Sequence, residues 1–465
     1  MKKIVLLSPP YLPEYMRNAR CDFVSLSGSQ WYPIWLGYCG AFLEKRGYEV
    51  KLIDAPSYGF THVETEDIIT KFGPDFLVIY TGRLSEDNDV EFSDKLVSKL
   101  GIKGAFVGPY ISIDPERSLQ KSKNIFIAVK GEFEYPILEI IEGKQLQETE
   151  NIVYNDNGTI RINPLRPLLE RDDLDEMPFV TEFFSRHLEF GYYKAPSEHL
   201  PFIDIMTGRG CKWGVCTYCL WVHSFIRGSV YNTRSVGNVV EEFKFIKTCL
   251  PQIRSIMLQD DTMTEERAKE ISEALLSDGV RMSWSCYARG DLSCNTLRLM
   301  KRAGCRNLHV GYESANRNIL KNIKKGLTKE EMTAFSEDAK SAGLNIHGDF
   351  AVGFPGETKE SIKETIEWAC MLQPNTAQFQ LMIPFRGTPF YKELDEKEWF
   401  KDGAPNYPEI TKEEMEEMVR KAYRKFYFSI SFVKEVIKHP YEMFFSRLGT
   451  YYRAVKYLLW KDYIH

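Results

Sequence analysis

From the first residues to about residue 145, short apolar runs alternate with segments of helical period. "KIVLLSPP" reads as a buried strand stopped by prolines. "WLGYCGAFLEKRGYEV" reads as a helix leading into the strand "VKLIDA". "DFLVIYTG", "GAFVGPY" and "IFIAVKGE" repeat the strand pattern. Helices are expected near Asp89 to Leu100, near Pro115 to Gln120 and over "YPILEIIEG". Apolar runs without polar alternation mark strands buried on both faces, and helical periods between them imply a parallel sheet with helices on either side. Ligands of such sheets bind outside the carboxyl ends of the strands. Those ends are Ser8-Pro9, Thr81-Gly82, Gly108-Pro109 and Gly131-Glu132, and no G-x-G-x-x-G follows the first strand.

The pattern breaks from about Gln145 to His199. "IVYNDNGTIRIN" flanks Asn157-Gly158 with alternating residues and predicts a hairpin. The proline-rich, acidic stretch after it predicts a linker. From Pro201 the alternation resumes, through "FIDIMTGRG", "SIMLQDD", "RMSWSCYARG", "NLHVGYES", "NIHGDFAVGFPGE" and "AQFQLMIPFRGTP", with helical segments between them. An eight-unit barrel takes about 250 residues, so these six units predict a partial, open one. The expected fold is α/β. It comprises a Rossmann-like doubly wound parallel sheet over 1–145, a linker with hairpin over 146–199, a partial (β/α)6 barrel of TIM type over 200–400, and a helical C-terminal domain over 401–465. The aromatic tail from Thr411 reads as a cap packed on the barrel, with a membrane-surface helix as the alternative.

Composition changes this picture little. A length of 465 residues fits two or three domains, at about 100–200 residues each. The net charge of −5 gives no footprint for a nucleic-acid partner. No stretch approaches the about 20 apolar residues of a transmembrane span, and Ile4 to Leu7 is too short for a signal sequence; a cytoplasmic protein is expected. Ten cysteines in such a chain argue against a disulfide scaffold. Cys21, Cys39, Cys249, Cys286, Cys294, Cys305 and Cys370 are scattered, and most suit small core positions.

The other three cluster in "TGRGCKWGVCTYCLW". Cys211, Cys216 and Cys219 form C-x4-C-x2-C just after a barrel strand, where chemistry is expected. A structural zinc site needs four ligands, and His223 is the nearest fourth. A cubane iron–sulfur cluster that only carries electrons also takes four thiolates. Three thiolates leave one iron open to a substrate or cofactor. The residues alone thus allow an open cluster, a zinc site using His223, or a chance grouping.

This loop resembles the cluster loop of the radical S-adenosylmethionine (radical SAM) superfamily. The resemblance implies a [4Fe–4S] cluster on Cys211, Cys216 and Cys219, its fourth iron chelated by S-adenosylmethionine (SAM), and Tyr218 packed near the adenine. The family spacing is C-x3-C-x2-C; the extra residue here alters the loop but not the ligand count. "LQDDTM" resembles the segment that holds the SAM amino group, implying Asp260 and Asp261. "WSCYARGDL" places Arg289 on the carboxylate side. "VGYES" resembles the ribose motif, with Glu313 and Ser314. "FAVGFPGET" resembles the adenine-facing strand, with Gly353 and Gly356. Each has a plainer explanation alone, a helix cap for Asp-Asp or a simple turn for Gly-Phe-Pro-Gly; their order along one βα series makes coincidence hard.

A doubly wound domain ahead of such a barrel resembles the cobalamin-binding arrangement. "GPYISIDPERSL" carries Tyr110 where family members often have histidine, and "KGEFEYPILEII" matches well. "CLWVHSFIRGSVYNTRSV" resembles the branch that includes hopanoid-associated radical SAM proteins. The implied cobalamin contacts are Ser8, Thr81, Gly82, Arg83, Gly108, Pro109, Gly131 and Glu132. No D-x-H-x-x-G supplies a cobalt histidine; a degenerate Rossmann fold that binds nothing is the plainer alternative. The resemblance implies a class B-like C-methyltransferase. It would act on an unactivated sp3 carbon through a 5′-deoxyadenosyl radical and methylcobalamin, with a reductant protein such as ferredoxin or flavodoxin. Peptide or protein side chains, lipids and small molecules all suit it as substrates. A cobalamin-dependent rearrangement or ring-forming enzyme is the alternative within the chemistry, and a non-catalytic iron–sulfur or zinc protein the alternative outside it.

Overall fold

The computed structural model describes residues 2–429 apart from 13–14, 18–22 and 25–27, together with 432, 434 and 437. Cys21 and the aromatic segment at 451–460 lie outside the described residues. The first sheet holds β1 (Lys3–Ser8), β2 (Glu49–Asp54), β3 (Phe76–Tyr80), β4 (Lys103–Val107), β5 (Ile127–Val129), β6 (Ile152–Asp156) and β7 (Thr159–Ile162). Their order is β2-β1-β3-β4-β5-β6-β7, with the first five parallel and the last two antiparallel. The Asn157-Gly158 turn takes positive φ at both residues, 50° and 94°, as a tight hairpin turn requires. Its strands β6 and β7 extend this sheet at its edge, although the sequence pattern assigned them to a linker.

The strand order reverses between β1 and β3, which opens a crevice at their carboxyl ends. Arg17 lies there with its side chain fully buried against Asp89 (2.6 Å), Pro9 O (2.6 Å), Ser85 Oγ (3.1 Å) and Ser8 Oγ (3.4 Å).

The second sheet is wholly parallel and runs in sequence order: β8 (Phe202–Ile205), β9 (Ser255–Met263), β10 (Ser283–Ala288), β11 (Cys305–Glu313), β12 (Asn345–Val352) and β13 (Thr376–Leu381). Its outer strands β8 and β13 are not paired with each other, so the barrel is open. Alternate residues Leu308, Val310 and Tyr312 are wholly buried in the apolar core, while Gly311, His347 and Asp349 are half-buried on the opposite, lumenal face. The connections are punctuated as the sequence directs. Ser235, Thr264, Ser293, Thr328 and Thr358 each accept a backbone N–H at the start of the next helix, satisfying donors that a helix cannot satisfy internally. No helix among the described residues is long and apolar enough to cross a membrane.

One apolar core runs through both sheets; a second lies on the far face of the first sheet. The joint is α1 (Ile34–Lys45), buried from Ile34 through Leu43. A helix apolar all round needs partners all round, and this one meets the first sheet, the second sheet and helix Val180–His187. Tyr38 Oη donates to Met206 O (3.3 Å) and accepts from Met206 N (3.0 Å), and Tyr32 Oη donates to Phe202 O (2.7 Å). Gly37 and Gly40 admit the phenylalanine rings of helix Val180–His187. A Cβ on Gly40 would stand 2.3 Å from Phe183 Cζ and 2.7 Å from Leu6 Cδ1. Both neighbours are fully buried and have no room to retreat. Gly40→Val should lower stability by about 2–3 kcal/mol, read as a lower urea midpoint with an unchanged slope.

Candidate functional site

Barrel strands end at one mouth, and the cysteine loop spans it. Two adjacent carboxylates at the end of β9 fix the approach. Asp260 accepts from Thr207 N (2.6 Å), Thr207 Oγ1 (2.6 Å) and Tyr231 Oη (2.6 Å). Asp261 points to the other side of its strand and accepts from Gly210 N (2.9 Å). Between them runs the short strand Gly208–Gly210, paired antiparallel with Tyr231–Thr233. The glycines are required: a Cβ on Gly210 would sit 2.2 Å from Val230 O.

The loop then docks on the segment after helix Arg317–Asn322. Thr217 N donates to Ile323 O (3.1 Å), and Trp213 Nε1 donates to Lys324 O (2.8 Å). Gly326 is needed there because Trp213 lies over it; a Cβ would come 2.0 Å from Cζ2 of that ring. Cys211, Cys216 and Cys219 are all half-buried. Burial raises the Cys216 thiol above its ordinary value and pushes Cys219 up to about 12. Among the described residues, the only groups of three metal-ligating atoms within 4.8 Å of one another belong to His309, His347 and Asp349. His223 Nε2 sits 3.0 Å from Cys216 O, so the nearest fourth ligand for zinc is turned to the backbone. Three thiols with no fourth protein ligand turned toward them suit a cluster with one open iron better than a four-coordinate structural zinc.

Facing the loop is a charged wall. Tyr218 Oη donates to Glu313 Oε1 (2.8 Å), and Lys325 Nζ meets the same oxygen at 3.2 Å. Glu313 adopts φ 62°, a backbone state that a carboxylate residue rarely takes. Arg289 donates to Lys325 O (2.8 Å), pairs with Asp291 (3.2 Å) and lies over the Trp213 ring at 4.5 Å. Tyr218 also meets Phe354, with centroids 5.0 Å apart. That brings the Gly353–Gly356 turn to the wall; both glycines hold positive φ, 99° and 86°. Ser314 is different: fully buried, it bonds Thr365 Oγ1 (3.2 Å) and accepts from Asn316 N (3.1 Å). Tyr218, Asp261, Arg289, Glu313, Gly353 and Gly356 thus gather around the thiols, while Asp260 and Ser314 face the scaffold.

The carboxyl ends of the first sheet stand behind the loop. Its continuation, Trp221–Phe225, packs against helix Pro109–Ile113, and Trp221 stacks on Trp35 of α1 at 5.6 Å. A Cβ on Gly131 would be 3.1 Å from Phe225 O. Arg209, fully buried, joins the two units: it bonds Glu132 (2.8 Å) and Glu134 (2.7 Å) and lies over Trp35 at 4.7 Å. Glu132 uses its other oxygen to accept from Leu169 N (2.8 Å). Ser8 is taken up by Arg17. Thr81, Gly82, Gly108, Pro109 and Gly131 are buried around the crevice, with Arg83 half-buried. Thr81 Oγ1 and Arg83 Nε are buried with no hydrogen-bond partner among the described residues, as polar atoms waiting for a bound group would be. Sequence reasoning missed Arg209, Glu134 and Lys325. An arginine between two glycines was a visible signal for the first; Glu134 and Lys325 left none.

Residues 205–369 match the model of the radical SAM superfamily. The chain is 30% identical over 458 residues to uncharacterized methyltransferase PH0819 of Pyrococcus horikoshii, covering 94% of this chain and 95% of that one. It is 26% identical over 494 residues to cytidylyl-2-hydroxyethylphosphonate methyltransferase of Streptomyces wedmorensis, covering 91% and 90%. Among solved structures it resembles the radical S-adenosylmethionine methyltransferase TsrM from Kitasatospora setae, solved with cobalamin and a [4Fe–4S] cluster bound. The TM-score is 0.68 at 17% identity, over 87% of this chain and 80% of that one.

Arg209→Met should destabilise the chain by about 3–5 kcal/mol, because two buried carboxylates lose their partner; thermal unfolding measures it. Glu357, behind the Gly353 turn, accepts from Gly353 N (3.1 Å). Burial raises its pKa from 4.5 to about 7. The folded state therefore holds this proton more tightly than the unfolded chain does. Its contribution is complete below pH 4.5 and lost as pH rises through about 7. Glu357→Gln should flatten that part of the stability–pH curve.

Proposed function

The chain belongs to the radical SAM superfamily, and we propose that within it the protein is a cobalamin-dependent C-methyltransferase. The observation that carries this reading is the placement of the thiol loop. It docks at the mouth of an open six-stranded barrel, with its back against the carboxyl ends of a second, doubly wound sheet. Both halves fall within the long matches to the two methyltransferases.

Cys211, Cys216 and Cys219 would hold a [4Fe–4S] cluster. Tyr218, Asp261, Arg289, Glu313, Gly353 and Gly356 would receive SAM, with Asp260 and Ser314 as supports. Thr81, Gly82, Arg83, Gly108, Pro109 and Gly131 would receive cobalamin, with Ser8 and Glu132 holding the walls of its crevice. When bound, these groups supply one-electron cleavage of SAM, hydrogen abstraction from an unactivated carbon, and a transferable methyl group. The chain's own residues bind, orient and exclude water. Lys325 and the Tyr218 hydroxyl hold the Glu313 carboxylate in place for ribose hydroxyls. Arg289, stacked on Trp213, offers a positive charge to the SAM carboxylate. Asp261 suits its ammonium group. The aromatic contact of Trp35, Trp221 and Phe225 seals the joint between the units.

On this reading the cobalamin-binding part runs past residue 145 to about 162, because β6 and β7 belong to its sheet. The radical SAM barrel occupies 200–400, and helix Lys412–Tyr427 begins a C-terminal cap. The enzyme would work in the cytoplasm with ferredoxin or flavodoxin as electron donor.

The test is anaerobic reconstitution with iron, sulfide, hydroxocobalamin and methyl-labelled SAM under reduction. The expected result is 5′-deoxyadenosine together with labelled methylcobalamin, and deoxyadenosine at background in Cys211→Ala, Cys216→Ala and Cys219→Ala. Tyr218→Phe should raise KM for SAM about tenfold, for one lost charge-assisted hydrogen bond. Deoxyadenosine formation that survives a cysteine replacement would refute the reading. Cleavage without methylcobalamin would leave the family intact and remove the methyl transfer.

A further inference from the structure

Below the mouth, the lumenal face of the second sheet carries a cluster that the proposed chemistry does not use. Tyr287, His309, His347 and Thr376 lie in one row across β10 to β13, in direct register. Asp349 follows two residues after His347 on the same face. His309, His347 and Asp349 bring one ligand atom each to within 4.8 Å of the others. Glu313 lies four positions after His309, which puts the cluster about 13 Å down the strand from the Tyr218 contact.

We propose that His309, His347 and Asp349 form a site for a divalent transition-metal ion on the floor of the barrel lumen. Two imidazoles and one carboxylate suit zinc or ferrous iron and leave coordination positions open. His347 Nε2 and Asp349 Oδ1 are 3.4 Å apart, the separation of two ligands on one ion with bonds of about 2.1 Å. The other nitrogen, Nδ1 of His347, is 2.7 Å from Thr376 Oγ1. Such an outer bond fixes which nitrogen of a metal histidine faces the ion.

His309 is the independent sign. It is 4% exposed, and its Nε2 has no hydrogen-bond partner among the described residues. The nearest acceptor, Glu198 Oε1, stands 3.8 Å away as a long ion-pair partner, itself buried and without a hydrogen bond. Plain packing accounts for the ring contacts of His309 with Trp31, Tyr287 and His347, but leaves Nε2 with only a long ion pair and no hydrogen bond at normal distance. Trp31 caps the cluster on one side, while the half-buried His347 and Asp349 face the lumen. The open positions of the ion would therefore point up the lumen and suit an anionic oxygen ligand, a carboxylate or a phosphonate.

The site needs neither SAM nor the cluster, so it is tested without activity. The full chain carrying its reconstituted cluster, freed of loosely bound divalent metal and dialysed anaerobically against Zn2+ alone, should retain a single equivalent of zinc by elemental analysis. His347→Gln and Asp349→Asn should each weaken retention at least tenfold, while the cluster iron and the urea midpoint stay as in the parent. The parent chain loaded with Co2+ should show visible d–d bands without a thiolate-to-cobalt charge-transfer band, an assay that needs no variant. Absence of bound zinc, zinc retained unchanged in both variants, or a thiolate band on Co2+ would each overturn the site. The last result would also put the ion on the cysteine loop and count against an open cluster there, whereas the first two leave that cluster untouched.

Discussion

A single buried guanidinium sets the geometry on which the rest depends. Arg209 precedes the first cysteine by two positions and reaches out of the barrel unit to Glu132 and Glu134 at the last βα turn of the first sheet. All three side chains are nearly inaccessible, so the desolvation cost is high and is offset only by near-ideal pairing. That requirement makes the contact directional. The strand entering the thiol loop stands in one place relative to the first sheet, and Trp35 covers the guanidinium from the α1 side. Apolar contact alone would hold the units together but would not fix their register.

The same logic recurs at the loop itself. Backbone carbonyls of Ile323 and Lys324 receive Thr217 and Trp213, and Gly326 clears space for the indole. The loop is held by one backbone and one indole hydrogen bond to these carbonyls, so its position belongs to the scaffold. Asp260 shows how such a scaffold uses a residue that looks chemical. Its carboxylate collects three donors and braces Thr207 and Tyr231, leaving the adjacent Asp261 on the lumenal side.

Polar residues inside the barrel follow from its openness. A closed eight-stranded barrel fills its interior with branched apolar side chains. Here six strands leave a gap, and the lumenal row carries Gln259, Tyr287, His347, Asp349 and Gln378, all half-buried. The opposite face of the same strands is apolar against the helices, apart from the buried Asp260 and Thr262 near the end of β9. The strands thus read as alternating toward one side of the molecule and continuous toward the other.

Periodicity and punctuation in the sequence determined both sheets, the number of barrel units, the Asn157-Gly158 turn and the thiol loop, because these rest on local rules of strand alternation, capping and turn conformation. The sheet that the hairpin strands join was not local information. It depended on β5 having an open edge at which β6 could pair antiparallel. Likewise, the composition of "LQDDTM" made two aspartates equal, and only the pleat of β9 and the position of Thr207 separated them. Lys325 and Glu134 carry no motif at all; folding brings them to Glu313 and Arg209 from distant segments. The sequence by itself determined which residues have the chemistry, since that is a property of side chains and short spacings. The tertiary structure decided which of them face the lumen and which brace it, since that depends on long-range pairing and on where each buried charge finds its partner.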